Sequence, residues 1–235
     1  MKILAIGNSF SQDATALLEF LSPQLLVRNL YIPGCSLLLH SELSHTEKAE
    51  YEYQEGGANS LPRKVTLKEG LEGEKWDFVT VQQVSGHSGE ESSYYPYLTT
   101  LLHYIHAHSD AEIVFHQTWA YDVGCEHRDF VRYEHSREVM WQKIEKTISK
   151  VSAKEDLSVI RSGELIERLR RHAFFDPLRG GLSLCRDGYH LSYNYGRCAA
   201  AAAWTKFFTG ETPAFLLRNN LSEGYRLIAD EVKLL

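Results

Sequence analysis

The chain has 235 residues, of which 43% are hydrophobic and 24% charged, and 25 Lys and Arg against 31 Asp and Glu give a formal net charge of −6. This composition is ordinary for a folded domain and excludes extended disorder, while the acidic balance excludes nucleic acid as an expected partner, since phosphate binding needs clustered positive charge. No apolar run approaches the ~20 residues that cross a bilayer, so no membrane partner is expected either.

Lys2-Ile3-Leu4-Ala5-Ile6 reads as a first strand. Asn8, Ser9 and Gln12 interrupt the apolar run that a signal peptide needs, so an uncleaved, cytoplasmic protein is expected. Residues 13–21 read as a helix with Leu17, Leu18 and Leu21 on one face. A second strand covers 25–31 and stops at Pro33-Gly34. Residues 42–66 are irregular and polar, with Gly56-Gly57, and read as a long loop or lid. A third strand is expected at 77–82, a helix at 97–106 and a fourth strand at 112–116. A long helix at 130–151 precedes a fifth strand at 157–160. Helices at 165–172, 195–208 and 222–235 close the chain. Strands alternating with helices imply right-handed crossovers and a single α/β domain over 1–235, three layers (α/β/α) of flavodoxin-like character around a mostly parallel central sheet.

Cys35, Cys125, Cys185 and Cys198 are scattered and form no Cys-x-x-Cys pair. They support neither a disulfide framework nor a zinc site and read as buried thiols. His103, His106 and His108 fit no single helix face well and read as surface residues. No metal or organic cofactor is expected.

In parallel sheets, binding groups collect where strands end and helices begin. Read in order, those places hold Gly7-Asn8-Ser9-Phe10-Ser11, Pro33-Gly34-Cys35-Ser36, Gln82-Gln83-Val84-Ser85-Gly86 and His116-Gln117-Thr118-Trp119. Arg186-Asp187-Gly188-Tyr189-His190 stands near the C-terminus. Hydroxyls, amides, glycines and a histidine thus gather on one rim. That set suits acyl transfer. A serine hydroxyl becomes a good nucleophile when a histidine takes its proton, and a carboxylate holds the histidine in the right tautomer. Ser9 is the candidate nucleophile, with His190 and Asp187 as base and orienter. The oxyanion donors are the Ser9 and Gly34 backbone N–H groups and the amide of Gln83 or Gln82. Each has a plainer reading. Ser9 is a fitting helix cap, and Ser11 or Asp13 a better one. Asp187-Gly188 is a common turn pair, and Gly34 after Pro33 a turn glycine.

Together the blocks at 2–11, Gly34, Gln82-Gln83, 116–121 and Asp187-Gly188-Tyr189-His190-Leu191-Ser192 resemble the SGNH (GDSL-type) hydrolases. The resemblance is strongest to a branch classed only as a domain of unknown function, and it covers most of the chain. It implies the SGNH hydrolase fold, Ser9 as nucleophile and Asp187 and His190 as the closing acid and base. It departs from the pattern at the third block, where the family's asparagine donor is replaced by Gln82-Gln83. Gln83 is preferred because Gln82 still completes the strand; Ser85 and Gly86 are the alternatives. Gln82, His116, Gln117, Trp119 and Tyr189 are candidate substrate contacts, and Trp119, Tyr121, Tyr189 and Tyr193 are candidates for stacking on sugar. The activity implied is hydrolysis of an ester, a small-molecule or carbohydrate substrate bearing an O-acetyl group being favoured. A binding module that has lost turnover, and a lipase or thioesterase, are the alternatives.

Overall fold

The computed structural model describes residues 1–55 and 63–235. Its sheet has the strand order β4-β3-β2-β1-β5-β6-β7. The strands are β1 (Lys2–Gly7), β2 (Leu26–Tyr31), β3 (Tyr51–Glu55), β4 (Arg63–Val65), β5 (Phe78–Val81), β6 (Glu112–His116) and β7 (Ser158–Ile160). Five of them, β2-β1-β5-β6-β7, pair in parallel, which is the flavodoxin order. Ile3, Leu4, Ala5 and Ile6 of the central β1 are all buried, as the unbroken apolar run requires of a strand covered on both faces.

The helices are α1 (Ser9–Thr15), α2 (Leu18–Leu21), α3 (Leu37–Thr46), α4 (Leu67–Glu72), α5 (Tyr97–His108), α6 (Arg137–Glu155), α7 (Ser162–Leu169), α8 (Tyr195–Thr209) and α9 (Glu223–Val232). One group packs around α8, which touches α1, α2, α7 and α9; α3, α4 and α5 form another. The small side chains Ala199 to Ala203 are all buried, which lets α8 approach its neighbours closely. None of the described helices is long and apolar enough to cross a membrane.

Three sequence expectations need correction. Residues 42–66 are not simply a loop: they hold the end of α3 and the strands β3 and β4, which add to the sheet in antiparallel fashion. Tyr51 and Tyr53 alternate inward on β3. Gly56-Gly57 lies outside the described residues. The helix expected at 13–21 begins earlier, at Ser9, and divides into α1 and α2. Its cap is Asn8, whose side chain accepts from Phe10 N, rather than Ser11 or Asp13. The helix expected from 130 is interrupted, because Glu134 and His135 take φ of 57° and 52°. A 3₁₀ segment (Arg128–Tyr133) precedes that break, and Ser136 then caps α6.

Candidate active site

The chain order reverses between β1 and β5, where α/β sheets open a crevice at the carboxyl ends of their strands. Ser9 stands there, one residue past the cap of α1. Its Oγ lies 2.8 Å from His190 Nε2, and His190 Nδ1 lies 2.7 Å from Asp187 Oδ2. A carboxylate only accepts, so Nδ1 carries the proton and Nε2 accepts from the Ser9 hydroxyl.

The spacing of three between Asp187 and His190 has a local cause. Asp187 Oδ1 accepts from Tyr189 N at 3.2 Å and His190 N at 2.7 Å, folding the segment into a turn that leaves Oδ2 for the imidazole. Gly188 takes φ of 88° at the bend. Partial burial alone raises the Asp187 pKa, but the hydrogen bonds from His190 and Tyr189 outweigh it and hold the carboxyl below its ordinary value. The turn is fastened from outside as well. Trp119 Nε1 donates to Tyr189 O at 2.7 Å and Asp122 N to Gly188 O at 2.6 Å. Asp13 accepts Leu191 N at 2.8 Å and pairs with Arg186 and Arg197. Asp13 escaped the sequence reading, which took it for a cap; its partners are remote in sequence and no local pattern announces them.

Gly34 is exposed and takes φ of 61°, and no acceptor among the described residues takes its N–H. Asn8 Nδ2 donates to Cys35 O at 2.9 Å, tying the Gly34 turn to the residue before Ser9. Gln83 is not placed to join these donors. Its Nε2 donates to Ser93 O at 2.9 Å and Ser93 Oγ at 3.0 Å. Its Oε1 accepts from Leu37 N at 3.0 Å and Val84 N at 2.8 Å. Gln83 is therefore not the oxyanion donor expected from the sequence: both amide hydrogens are spent on Ser93, and the side chain anchors the start of α3. Gln82 donates to Asn8 instead, and Ser85 is bonded to Tyr121.

Four of the five expected substrate contacts are also corrected. Gln82, His116, Gln117 and Trp119 are buried, and a buried side chain cannot line an open cleft. Trp119 stacks on Phe10 with ring centroids 4.4 Å apart. Gln117 Oε1 accepts from Glu164 N at 3.0 Å and so caps α7, whose own preceding residue supplies no cap. Of the sugar-stacking candidates, Tyr121 is buried too, leaving half-buried Tyr189 and exposed Tyr193. The Tyr193 face carries the Arg186 and Arg197 guanidinium groups at 4.9 and 4.6 Å. Half-buried His127, which the sequence reading passed over, sits against Tyr189 with centroids 4.9 Å apart. Cys35, Cys125, Cys185 and Cys198 are buried and unpaired with one another.

A family model described as a domain of unknown function, DUF4886, matches residues 2–218. The chain belongs to that family. A crystal structure of a DUF4886 family protein from Bacteroides uniformis ATCC 8492 is 29% identical with a TM-score of 0.87, covering 100% of this chain and 93% of that one. A protein from Slackia heliotrinireducens provisionally assigned as an SGNH hydrolase is 22% identical, with a TM-score of 0.60 over 88% of this chain and 97% of its own. A catalytic mutant of Axe2, an acetylxylan esterase from Geobacillus stearothermophilus, is 13% identical, with a TM-score of 0.57 over 89% and 94%. At these identities the last two share the fold. No curated protein matches the sequence. The DUF4886 chain thus carries an SGNH-type α/β/α architecture, with the Ser9, His190 and Asp187 side chains joined at the sheet's switch point.

Proposed function

We propose that the protein is a serine esterase acting through an acyl-enzyme. The observation that carries this is the continuous pair of hydrogen bonds from Ser9 Oγ to His190 and from His190 to Asp187, at 2.8 and 2.7 Å. Ser9 Oγ attacks the ester carbonyl while His190 Nε2 takes its proton. Asp187 stabilises the imidazolium so formed. The Ser9 and Gly34 N–H groups receive the oxyanion. His190 then protonates the departing alcohol. In the second half-reaction His190 takes a proton from water, the resulting oxygen attacks the acyl carbon, and Ser9 leaves with the proton returned to it. An O-acetyl group on a carbohydrate is the favoured substrate, supported by the acetylxylan esterases that share the fold. Half-buried Tyr189, with its ring centroid 4.2 Å from that of His190, offers a ring that suits a sugar face. One observation favours a second reading, a ligand-binding module without turnover: the third donor expected of Gln83 is engaged with Ser93.

Labelling with a fluorophosphonate, followed by hydrolysis of aryl acetates and acetylated xylo-oligosaccharides, tests the proposal. Wild-type protein should be labelled at Ser9 and should turn over acetate esters. Ser9→Ala should do neither, with an unfolding midpoint near that of wild type. Unlabelled wild-type protein that still binds acetylated sugar would favour the binding module.

A further inference from the structure

Beneath the proposed site runs a chain of polar side chains with no access to solvent. Asn8, Gln82, His116 and Ser162 are each 1% exposed or less. Its direction is set by a backbone amide. Phe10 N can only donate, and its acceptor at 3.0 Å is Asn8 Oδ1. Asn8 Nδ2 is therefore the donor to Cys35 O, at 2.9 Å. Gln82 Nε2 donates to the same Asn8 Oδ1 at 2.9 Å, which leaves Gln82 Oε1 to accept from His116 Nδ1 at 2.8 Å. With Nδ1 protonated, His116 Nε2 accepts from Ser162 Oγ at 3.0 Å. One arrangement satisfies all these contacts. Buried polar groups are costly unless fully bonded, and a fully bonded set holds a single orientation. Space is reserved for it as well: a Cβ on Gly7 would come within 3.1 Å of Gln82 Cδ and 2.6 Å of Ser11 Oγ.

The end of this chain has a particular address. Asn8 precedes Ser9, and Cys35 follows Gly34. The Asn8 side chain is thus the link between the turn that carries the nucleophile and the turn that carries the Gly34 N–H. From this juxtaposition we infer that His116 and Gln82 are positioning residues, which hold Asn8 in the one amide orientation that sets Ser9 and Gly34 at working distance. The inference rests on the esterase reading for its catalytic meaning. Its structural content, the coupling of His116 to the Ser9 and Gly34 turns, stands apart from that reading. Burial keeps His116 neutral by lowering its pKa to about 3, so the same bonds persist across the working range of pH.

The test compares His116→Leu with His116→Asn by backbone amide NMR and by kcat and KM on an aryl acetate. Leucine removes the Nδ1 donor, whereas asparagine places an N–H near the same point. His116→Leu should move the Ser9, Gly34 and Cys35 amide signals and lower kcat by roughly 10- to 100-fold with KM little changed, the size of effect a small misplacement of reacting groups produces. His116→Asn should recover much of both. Should His116→Leu fail to fold, Gln82→Met, which keeps the length and loses Nε2–H, should give the same displaced signals. Unmoved Ser9, Gly34 and Cys35 signals in the leucine or methionine variant, or equal loss of kcat in the leucine and asparagine variants, would overturn the inference. Wild-type protein lacking esterase activity and Ser9 labelling would instead refute the esterase reading, while the amide signals would still report whether the coupling exists.

Discussion

Arg186 Nη1 donates to both carboxylate oxygens of Asp13, at 3.1 and 2.9 Å, and so binds the helix that starts at Ser9 to the turn that carries Asp187 and His190. Arg197 completes the arrangement from α8, with Nε 2.8 Å and Nη2 2.7 Å from Asp13 Oδ1. The nucleophile and its base come from opposite ends of the sequence, and Asp13 is where those ends are joined.

Asp13→Asn should therefore cost about 3 kcal/mol, the low end for breaking a buried ion pair, since both arginines retain some access to water. It should also lower kcat, because the Asp187–His190 turn loses its hold on α1. Urea unfolding alongside steady-state kinetics measures both. A variant as stable and as active as wild type would show that the pair joins nothing of consequence.

A second expectation concerns the Asp187 carboxyl, whose pKa lies below its ordinary 3.8 in the folded protein. A depressed carboxylate pKa stabilises the fold above the unfolded value, and that contribution is lost as pH falls through the folded one. The gap in unfolding midpoint between wild type and Asp187→Asn should be constant above about pH 5 and should shrink below it. A gap that widens in acid would contradict the hydrogen bonds assigned to Asp187.

His116 has a linkage of the same sign in a higher pH window. Burial lowers its pKa from 6.5 to about 3, so between those values the unfolded chain binds a proton that the folded one does not. Stability should rise with pH through that window, by at most about 1.4 kcal/mol per unit for this residue. Replacing His116 with Asn should remove about one proton from the uptake on unfolding at pH 5, measured by the pH dependence of urea midpoints. An unchanged slope would mean that His116 is protonated in the fold.

Gly188→Ala should damage the site more than its size suggests. Its φ of 88° is strained for any L side chain, and the added Cβ would lie 3.0 Å from Cys125 Cβ and 3.1 Å from its Sγ. A cost of about 1–3 kcal/mol is expected from the backbone alone. The turn must also shift, so kcat should fall while the rest of the fold persists, as far-ultraviolet circular dichroism would report.

Much of the fold was legible because the parallel strands are short apolar runs set between longer amphipathic stretches. Strand β6 at Glu112–His116 coincides with the run read from sequence. The β3–β4 pair was not legible: its glutamates, lysine and arginine mask an alternation that rests on two tyrosines, and the segment is short. At the site, Ser9, Asp187 and His190 stood out because each follows a recognisable break in the pattern. Gln83 misled for a physical reason. Alternation along a strand gives the side of the sheet but not the torsions that aim an amide, and those were decided by Leu37, Val84 and Ser93. Likewise His116 and Gln117 look like rim residues by position, yet the sequence carries no sign that α7 would close over them.

The outermost strands of the sheet are β4 (Arg63–Val65) and β7 (Ser158–Ile160). Arg63 and Lys64 on the β4 side are exposed, with Arg63 lying over the Tyr53 ring at 5.1 Å and Lys64 Nζ donating to Glu50 O at 2.8 Å. Exposed Arg63 and Lys64 make the β4 border a poor template for a further chain, because pairing there would bury their charges. The antiparallel pair that was not legible in the sequence thus gives one border of the sheet a charged strand of the kind that discourages stacking into fibrils.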